Sequence, residues 1–142
     1  MRAQATTGGH RVTRRDRTVR NTSQRQAIRD VFLRDARPLR VEDVMERARE
    51  AVPSINLATV YRNVNRLLEA GTIRRVDFPP LGAHYELADK PHHHHFHCRA
   101  CDALFELPGC VIDMRKIGLS GFEMEGHEVF LYGLCARCAD GR

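Results

Sequence analysis

The sequence predicts an α+β protein of two small domains, a helical N-terminal domain followed by a mixed α/β domain. Three observations predict this division. Arginine is concentrated before residue 80, whereas every cysteine lies after it. Three segments with helical periodicity come first, followed by two β-prone stretches. Short strand-like segments then flank one helix-like segment. The predicted boundaries are a basic arm at 1–20, a first domain at 21–88 and a second at 89–142.

Composition and charge restrict the class of protein. The chain has 142 residues, a net charge of +5 and no apolar run near the ~18 residues that a membrane span needs. Its N-terminus lacks a signal-peptide core, so we expect a cytoplasmic protein without a membrane partner. The positive charge favours a polyanionic partner such as nucleic acid, with a solvated basic surface as the alternative. We expect residues 1–20 to form an arm whose arginines reach DNA, or simply a disordered terminus.

Two helices are predicted at the start of the first domain. Ser23 and Gln26 form a capping-box pattern that opens the first helix, and Pro38 ends it. The second helix spans Val41–Ala51, with an apolar face and a stop at Pro53.

The third helix gives the clearest signal of the first domain. Asn56 is its predicted N-cap and Gly71 closes it. Its apolar stripe consists of Leu57, Val60, Tyr61, Val64, Leu67 and Leu68. The side chains predicted to face outward suit base edges and phosphates, although any amphipathic helix has a polar face: they are Ala58, Thr59, Arg62, Asn63 and Arg66.

A β-hairpin is predicted after the third helix. Its strands are Thr72–Val76 and His84–Leu87, separated by a turn-rich segment at 79–82. Three helices followed by a hairpin is the order of a winged helix-turn-helix domain, whose third helix enters the major groove of double-stranded DNA.

The second domain is predicted to be a small α/β dimerisation module. A strand at Phe105–Leu107, a helix at Val111–Leu119 and a strand at Phe122–Leu131 follow one another. The exposed strand edges of so small a module favour pairing with a second copy.

Two Cys-X-X-Cys pairs predict a structural zinc. Cys98, Cys101, Cys135 and Cys138 supply four thiolates, which zinc binds as a closed tetrahedron. A redox dithiol is the alternative. Cys110 is left over, and a lone cysteine is usually a small buried hydrophobe.

A histidine run precedes the first cysteine pair. If this run is extended, His92 and His94 share one face and His93, His95 and His97 share the other. One strand would then supply two metal sites. A solvated polyhistidine loop and a cloning remnant are the alternatives.

Each histidine face needs further ligands. Glu86 could join His93 and His95, whereas Asp113 and His127 could join the opposite face. Mixed imidazole and carboxylate ligands suit zinc, iron, manganese or nickel.

Three motifs in this order resemble the ferric uptake regulator (Fur) family. They are Leu57-Ala58-Thr59-Val60-Tyr61-Arg62, the histidine run leading into Cys98-X-X-Cys101, and the ending Leu131-Tyr132-Gly133-Leu134-Cys135-X-X-Cys138. The resemblance covers residues 20–138. It implies a winged-helix domain, a hinge, a dimerisation domain, and metal-dependent repression by a homodimer at palindromic operators.

The resemblance also implies roles for individual residues. Tyr61 and Arg62 match residues of the recognition helix that contact DNA, which gives the predicted DNA-binding set Ala58, Thr59, Tyr61, Arg62 and Asn63. The four paired cysteines match the structural zinc site. The remaining ligands match a hinge sensor site (Glu86, His93, His95) and a second metal site (His92, His94, Asp113, His127), with Asp113 where a glutamate is usual.

The hinge site departs from the family pattern. Iron-, peroxide- and nickel-sensing members usually supply a histidine just before the second helix, but Pro38 stands there. Glu106, His97 or water could complete the site. Zinc-sensing members carry a cysteine near the wing, and Cys110 lies too far along the chain to match it. The expected cofactors are therefore a structural Zn²⁺ and a regulatory divalent metal, either Zn²⁺ or Fe²⁺, with Mn²⁺ as a further option.

Other functions remain as alternatives. A zinc hydrolase would need an open metal position and a nearby general base, but the sequence lacks an HExxH motif, so we expect no enzyme. A metal buffer with a basic half would bind DNA without regard to sequence. A zinc-stabilised DNA-binding protein without sensing would bind DNA equally with and without added metal.

Overall fold

The computed structural model describes residues 14–79, 81–110, 112–113, 116–118 and 120–141, with side chains from residue 18 onward. It confirms the α+β class. The first domain contains the helices α1 (Arg14–Arg34), α2 (Val41–Ala51) and α3 (Leu57–Glu69) and the strands β1 (Ile73–Phe78) and β2 (Gly82–Leu87). The second domain contains β3 (His93–Cys98), β4 (Leu104–Pro108), β5 (Phe130–Gly133) and the short helix α4 (Ala136–Asp140), which the sequence analysis did not predict.

One hydrophobic core joins the three helices to the hairpin. Ile28, Val44, Val60 and Val64 are completely buried in it. The strands β1 and β2 pair antiparallel, and Leu39 exchanges two backbone hydrogen bonds with Tyr85 of β2 at 2.8 and 2.9 Å. This arrangement is the predicted winged helix-turn-helix.

The first helix begins earlier than the sequence analysis predicted. It already runs through Thr22 and Ser23, whose hydroxyls each donate at 3.0 Å to carbonyls of the preceding turn, on Thr18 and Arg20. A hydroxyl that bonds back into its own helix does not cap an N-terminus, so the predicted start at Ser23 is wrong. Residues 14–20, assigned to the arm, are helical, and residues 1–13 lie outside the described part of the chain. The helix ends at Arg34, before Pro38.

The third helix has the predicted ends. Asn56 Oδ1 accepts a hydrogen bond from the backbone N–H of Thr59 at 2.9 Å, as an N-cap does. After the last turn, Gly71 adopts φ +66°, a left-handed conformation that glycine reaches without steric cost.

The outward face of α3 is different from the predicted one. Thr59 and Asn63, predicted to face outward, are each only 6% exposed. They line a cleft together with Arg20 and Gln24 of α1. Arg20 belongs to the segment assigned to the arm, whereas Gln24 lies within the predicted first helix. Tyr61, assigned to the apolar stripe, is instead 44% exposed. The buried face of α3 therefore includes Thr59 and Asn63 and excludes Tyr61, so it is rotated about the helix axis from the predicted apolar stripe.

The second domain is a three-stranded sheet with the order β4-β3-β5, in which β3 pairs antiparallel with β4 and parallel with β5. The histidine run thus lies on the central strand. The strand predicted at Phe122–Leu131 is reduced to β5, because β3 offers partners only from His95, opposite Phe130, onward. Phe122 is 75% exposed in an irregular segment.

The α-helix predicted at Val111–Leu119 is wrong for the part that the structure describes, which shows a 3₁₀ turn at Lys116 and no α-helix. Residues 112, 113, 117 and 118 are not helical, and Gly118 has φ +38°, which an α-helix does not tolerate. Residues 111, 114, 115 and 119 lie outside the described part of the chain. None of the helices in the described ranges is long and apolar enough to cross a membrane.

Candidate metal centres and nucleic-acid interface

The two cysteine pairs meet at one end of the second domain. Cys98 ends β3, Cys101 follows in the next turn, Cys135 is the N-cap of α4, and Cys138 lies within that helix. All four sulfurs lie within 4.8 Å of one another, and Cys101 Sγ is 4.0 Å from Cys135 Sγ. Sulfurs on a zinc tetrahedron with Zn–S bonds near 2.3 Å lie about 3.8 Å apart. The predicted Cys₄ set is therefore assembled with the spacing that zinc requires.

Electrostatics in this cluster also suit a dication. Backbone N–H groups, first that of Cys135 at 3.3 Å, lower the pKa of the Cys98 thiol to about 6. Side-chain hydrogen bonding to Cys135 and Cys101 raises the pKa of Cys138 to about 12. Four thiolates so close together repel one another, and a bound Zn²⁺ removes that repulsion.

The three predicted hinge ligands lie close together, and both histidine rings approach the same oxygen of the Glu86 carboxylate. Glu86 comes from the wing strand β2 and is 1% exposed, while His93 and His95 come from β3. Glu86 Oε2 lies 3.2 Å from His93 Nε2 and 3.3 Å from His95 Nε2. His93 Nδ1 lies 2.7 Å from the Pro91 carbonyl, so it donates there and leaves Nε2 as the metal-binding nitrogen. The site thus joins the two domains.

Two cations surround the same carboxylate. Arg74 donates to Glu86 Oε1 at 2.7 Å, and Lys90 Nζ lies 3.6 Å from Oε2. Burial alone would raise the pKa of Glu86, but hydrogen bonds from His95 and Arg74 outweigh it and lower that pKa to about 2. The carboxylate is therefore ionised at every physiological pH.

Lys90 lies between the two domains, beside the predicted hinge ligands. Its ammonium donates to the Glu106 carboxylate on β4 and to the carbonyl of Ala36, in the loop before α2 that also carries Pro38. Glu106 Oε1 lies 3.9 Å from His93 Nε2, so this carboxylate is within reach of the hinge site. A fixed positive charge thus joins the two domains beside the predicted sensor.

Arg74 and Lys90 were not among the residues predicted for this site. Arg74 lies directly opposite Glu86 in the register of the hairpin, and this cross-strand pair of opposite charges was available from the sequence once the hairpin had been aligned. Lys90 lies four residues after Glu86, but its hydrogen bonds to Ala36 and Glu106 join distant segments, which the sequence alone does not bring together.

A second group of ligands lies on the other face of β3. It consists of His92, His94, His127 and Cys110, with donor atoms within 4.8 Å of one another. Asp113, the carboxylate predicted for this site, is not in the group and lies 3.9 Å from Lys116. The predicted alternation along the strand is present, since these histidines and the hinge pair point to opposite faces.

The second group contains buried and accessible side chains. His94 is 2% exposed, and both burial and the neighbouring imidazoles, His92 first, lower its pKa. His97, placed by alternation with the hinge histidines, instead pairs with Asp102 at 3.0 Å.

The candidate nucleic-acid interface is the outward face of α3. Ala58, Tyr61 and Arg62 of the predicted set are exposed on it, and Asn65, which the sequence analysis missed, shares the same face. The Arg62 guanidinium donates to Thr59 Oγ1 at 3.2 Å.

Comparison with known proteins identifies the family. The sequence profile described as "Ferric uptake regulator family" matches residues 16–132. The ferric uptake regulation protein of Bordetella parapertussis is 36% identical over 128 residues, which cover 87% of this chain and 92% of that protein. The ferric uptake regulation protein of Campylobacter jejuni is 32% identical over 125 residues, covering 84% and 80%.

A solved structure described as a zinc-bound manganese uptake regulator has the same fold. It superposes with a TM-score of 0.70 at 26% identity, and the match covers 89% of this chain and 92% of that one. The members of this family regulate transcription and are not enzymes. The chain therefore belongs to the ferric uptake regulator family of metal-responsive transcriptional regulators.

Proposed function

We propose that this chain acts in the cytoplasm as a homodimeric repressor that binds palindromic operator DNA when a divalent metal occupies Glu86, His93 and His95. The observation that carries the proposal is the origin of these ligands in two domains. Glu86 belongs to the wing, whereas both histidines belong to the sheet of the second domain. A metal held by all three would fix the orientation of the winged-helix domain relative to the dimerisation domain.

The expected strength of this coupling is modest. Coupling free energies between two binding sites are typically ~1–3 kcal/mol, which changes DNA affinity about 5–150-fold. In a dimer, both winged-helix domains must match successive major grooves at once. A metal at each hinge fixes the orientation of each winged-helix domain and therefore favours the operator-bound arrangement.

The ligands restrict the choice of metal. Two imidazoles and one carboxylate suit Zn²⁺, Fe²⁺ and Mn²⁺ better than Mg²⁺ or Cu⁺. With Glu106 within reach as a fourth ligand, the site suits tetrahedral Zn²⁺. A second Zn²⁺ would fill the Cys₄ cluster, where four thiolates leave no open position, so its role is structural.

Apolar side chains at the edge of the sheet support dimerisation. Leu131 and Tyr132 of the edge strand β5 are 38% and 70% exposed, and Phe122 is 75% exposed before it. A free strand edge beside exposed apolar side chains is a typical pairing surface.

A second candidate function is operator binding that does not respond to metal. The observation that favours it is the pair of cations around Glu86. Lys90 already connects Glu106 to Ala36 across the two domains, so an internal ammonium could hold the binding geometry without a metal.

One experiment decides between the two. An operator is selected with the zinc-loaded protein from a library of random DNA duplexes. The protein is then treated mildly with a chelator, which removes the hinge metal but leaves the Cys₄ zinc in place. Binding to this operator is then titrated with zinc, iron(II) and manganese. The sensor proposal predicts that one of these metals restores tight, sequence-specific binding. Equal binding with and without metal would establish the second candidate instead.

A further inference from the structure

The turn after β4 brings Cys110 to the histidine run. The strand ends at Pro108, and Gly109 turns the chain with φ +78°, a conformation that favours glycine. The Gly109 N–H donates to the carbonyl of His92 at 3.3 Å, which fixes the turn beside the residue that precedes β3. Cys110 is therefore placed next to the second histidine face by backbone contacts.

Two pairs of donor atoms in this group lie near the spacing of a metal tetrahedron, and all four donor atoms lie within 4.8 Å of one another. His92 Nε2 lies 3.2 Å from His94 Nε2, and Cys110 Sγ lies 3.2 Å from His127 Nε2. With Zn–N bonds near 2.0–2.1 Å and Zn–S bonds near 2.3 Å, tetrahedral zinc sets N–N and N–S separations of about 3.3 and 3.6 Å. Both observed separations agree with these values to about half an ångström.

We propose that Cys110 is a metal ligand. With His92, His94 and His127 it forms a metal site of three imidazoles and one thiolate in the second domain. Asp113, the carboxylate that the sequence analysis predicted for this site, lies by Lys116 and outside the group. The proposal does not depend on the hinge sensor, because none of its four ligands belongs to that site.

A thiolate in place of a carboxylate changes which ion the site takes. Soft sulfur together with imidazole selects Zn²⁺, whereas a carboxylate would also accommodate Mn²⁺. On binding, the Cys110 S–H bond breaks, its proton leaves to solvent, and the sulfur donates its electron pair to the metal without any change of oxidation state. An ion can reach the site, since the three histidines line an open cleft and Cys110 itself is exposed.

Thiol alkylation tests the proposal directly. In protein whose Cys₄ cluster holds zinc, four of the five cysteines are protected and Cys110 is left to react with iodoacetamide. Zinc is then added up to three equivalents per chain, one for each ligand group. At free zinc about ten times the dissociation constant, the alkylation of Cys110, followed by peptide mass spectrometry, should slow about tenfold. Manganese at the same concentration should protect much less.

Four variants test which residues cause the protection and how many zinc ions the chain binds. His127→Asn should abolish it while the Cys₄ cysteines stay protected, and Asp113→Asn should leave it unchanged. Glu86→Gln should also leave it unchanged, which separates failure of the hinge sensor from failure of this proposal. Because Cys110 is exposed, Cys110→Ser should fold normally and bind one zinc fewer than the wild type. An alkylation rate that zinc does not change, or protection that Asp113→Asn removes, would overturn the proposal.

Discussion

Arg74 donates to Glu86 Oε1 from Nε at 2.7 Å and from Nη2 at 2.6 Å, while Oε2 of the same carboxylate lies 3.2 Å from His93 Nε2. One oxygen is therefore held by the protein and the other is directed at the metal ligands. Arg74 is a positioning residue in this arrangement. It fixes the plane of the carboxylate and helps to keep it ionised before a metal arrives.

Acid should destabilise the protein through Glu86. Its pKa is lowered from 4.5 to about 2 in the folded chain, so its stabilising contribution is fully present above pH 4.5 and is lost as pH falls toward 2. That shift corresponds to roughly 3 kcal/mol of unfolding free energy. We expect Glu86→Gln to be less stable than the wild type at pH 7 and to approach it between pH 4.5 and 2.

Urea unfolding of the two proteins across this range measures the effect of Glu86. Loss of the Cys₄ zinc in acid is common to both proteins, so the difference between their free energies of unfolding isolates the carboxylate. If the difference in unfolding free energy stays constant from pH 7 to pH 2, the pKa of Glu86 is not lowered in the folded protein.

Removing Lys90 should tighten metal binding at the hinge. Its ammonium lies 3.6 Å from the oxygen that faces both histidines, and its side chain is only 13% exposed. At this distance a positive charge repels a dication appreciably, so Lys90→Met should raise zinc affinity on the order of tenfold. Lys90→Arg, which keeps the charge, is the control. Competition with a fluorescent zinc chelator gives both dissociation constants, and weaker binding by the methionine variant would mean that Lys90 supports the site.

Loss of one paired cysteine should remove the structural zinc. Cys135→Ala breaks the tetrahedron and leaves three thiols that repel one another when ionised, so we expect the zinc content to fall by one per chain. The unfolding free energy should drop by several kcal/mol, since zinc sites of this type contribute directly to folding. Elemental analysis and thermal denaturation measure the two effects. Cys110→Ala should keep the Cys₄ zinc, and a Cys135→Ala protein that also keeps it would disprove the Cys₄ assignment.

Two neighbouring residues of α3 should affect different properties. Arg62 is exposed, so Arg62→Ala should weaken operator binding by ~1–3 kcal/mol, about 5–150-fold, with little change in stability. Asn63 is buried and donates to the Thr59 carbonyl at 2.8 Å, so Asn63→Ala should cost about 1 kcal/mol of stability. DNA binding by fluorescence anisotropy and urea unfolding separate the effects. A loss of base specificity in folded Asn63→Ala would instead show that Asn63 contacts DNA.

Much of the fold could be predicted from local patterns. Asn56 and Gly71 mark the ends of α3 through cap chemistry, and the Cys-X-X-Cys spacing predicts a cluster that the structure assembles. The alternation of histidines along β3 separates two ligand groups because side chains alternate across any strand. These features depend on residues close together in sequence, which is why the sequence alone was sufficient.

Features that depend on distant segments were missed. Thr59 and Asn63 are buried beside a cleft that Arg20 and Gln24 of α1 also line, and these polar residues carry no apolar periodicity. Cys110 lies with the three histidines, and Asp113 does not, after a glycine turn fixed by the hydrogen bond between Gly109 and His92. Lys90 finds partners in two different domains. Each outcome is decided by tertiary contacts that sequence periodicity does not encode.

The central claim, that a metal at the hinge controls DNA binding, is tested most directly by operator affinity in two variants of the same strand. His93→Gln removes a hinge ligand, whereas His97→Gln removes a histidine that pairs with Asp102 instead. With the Cys₄ zinc in place, the selected operator is titrated with each protein with and without the regulatory metal. We predict that His97→Gln keeps the metal-dependent gain of about 5–150-fold and that His93→Gln loses it. An unchanged metal response in folded, zinc-containing His93→Gln would contradict the hinge as the sensor.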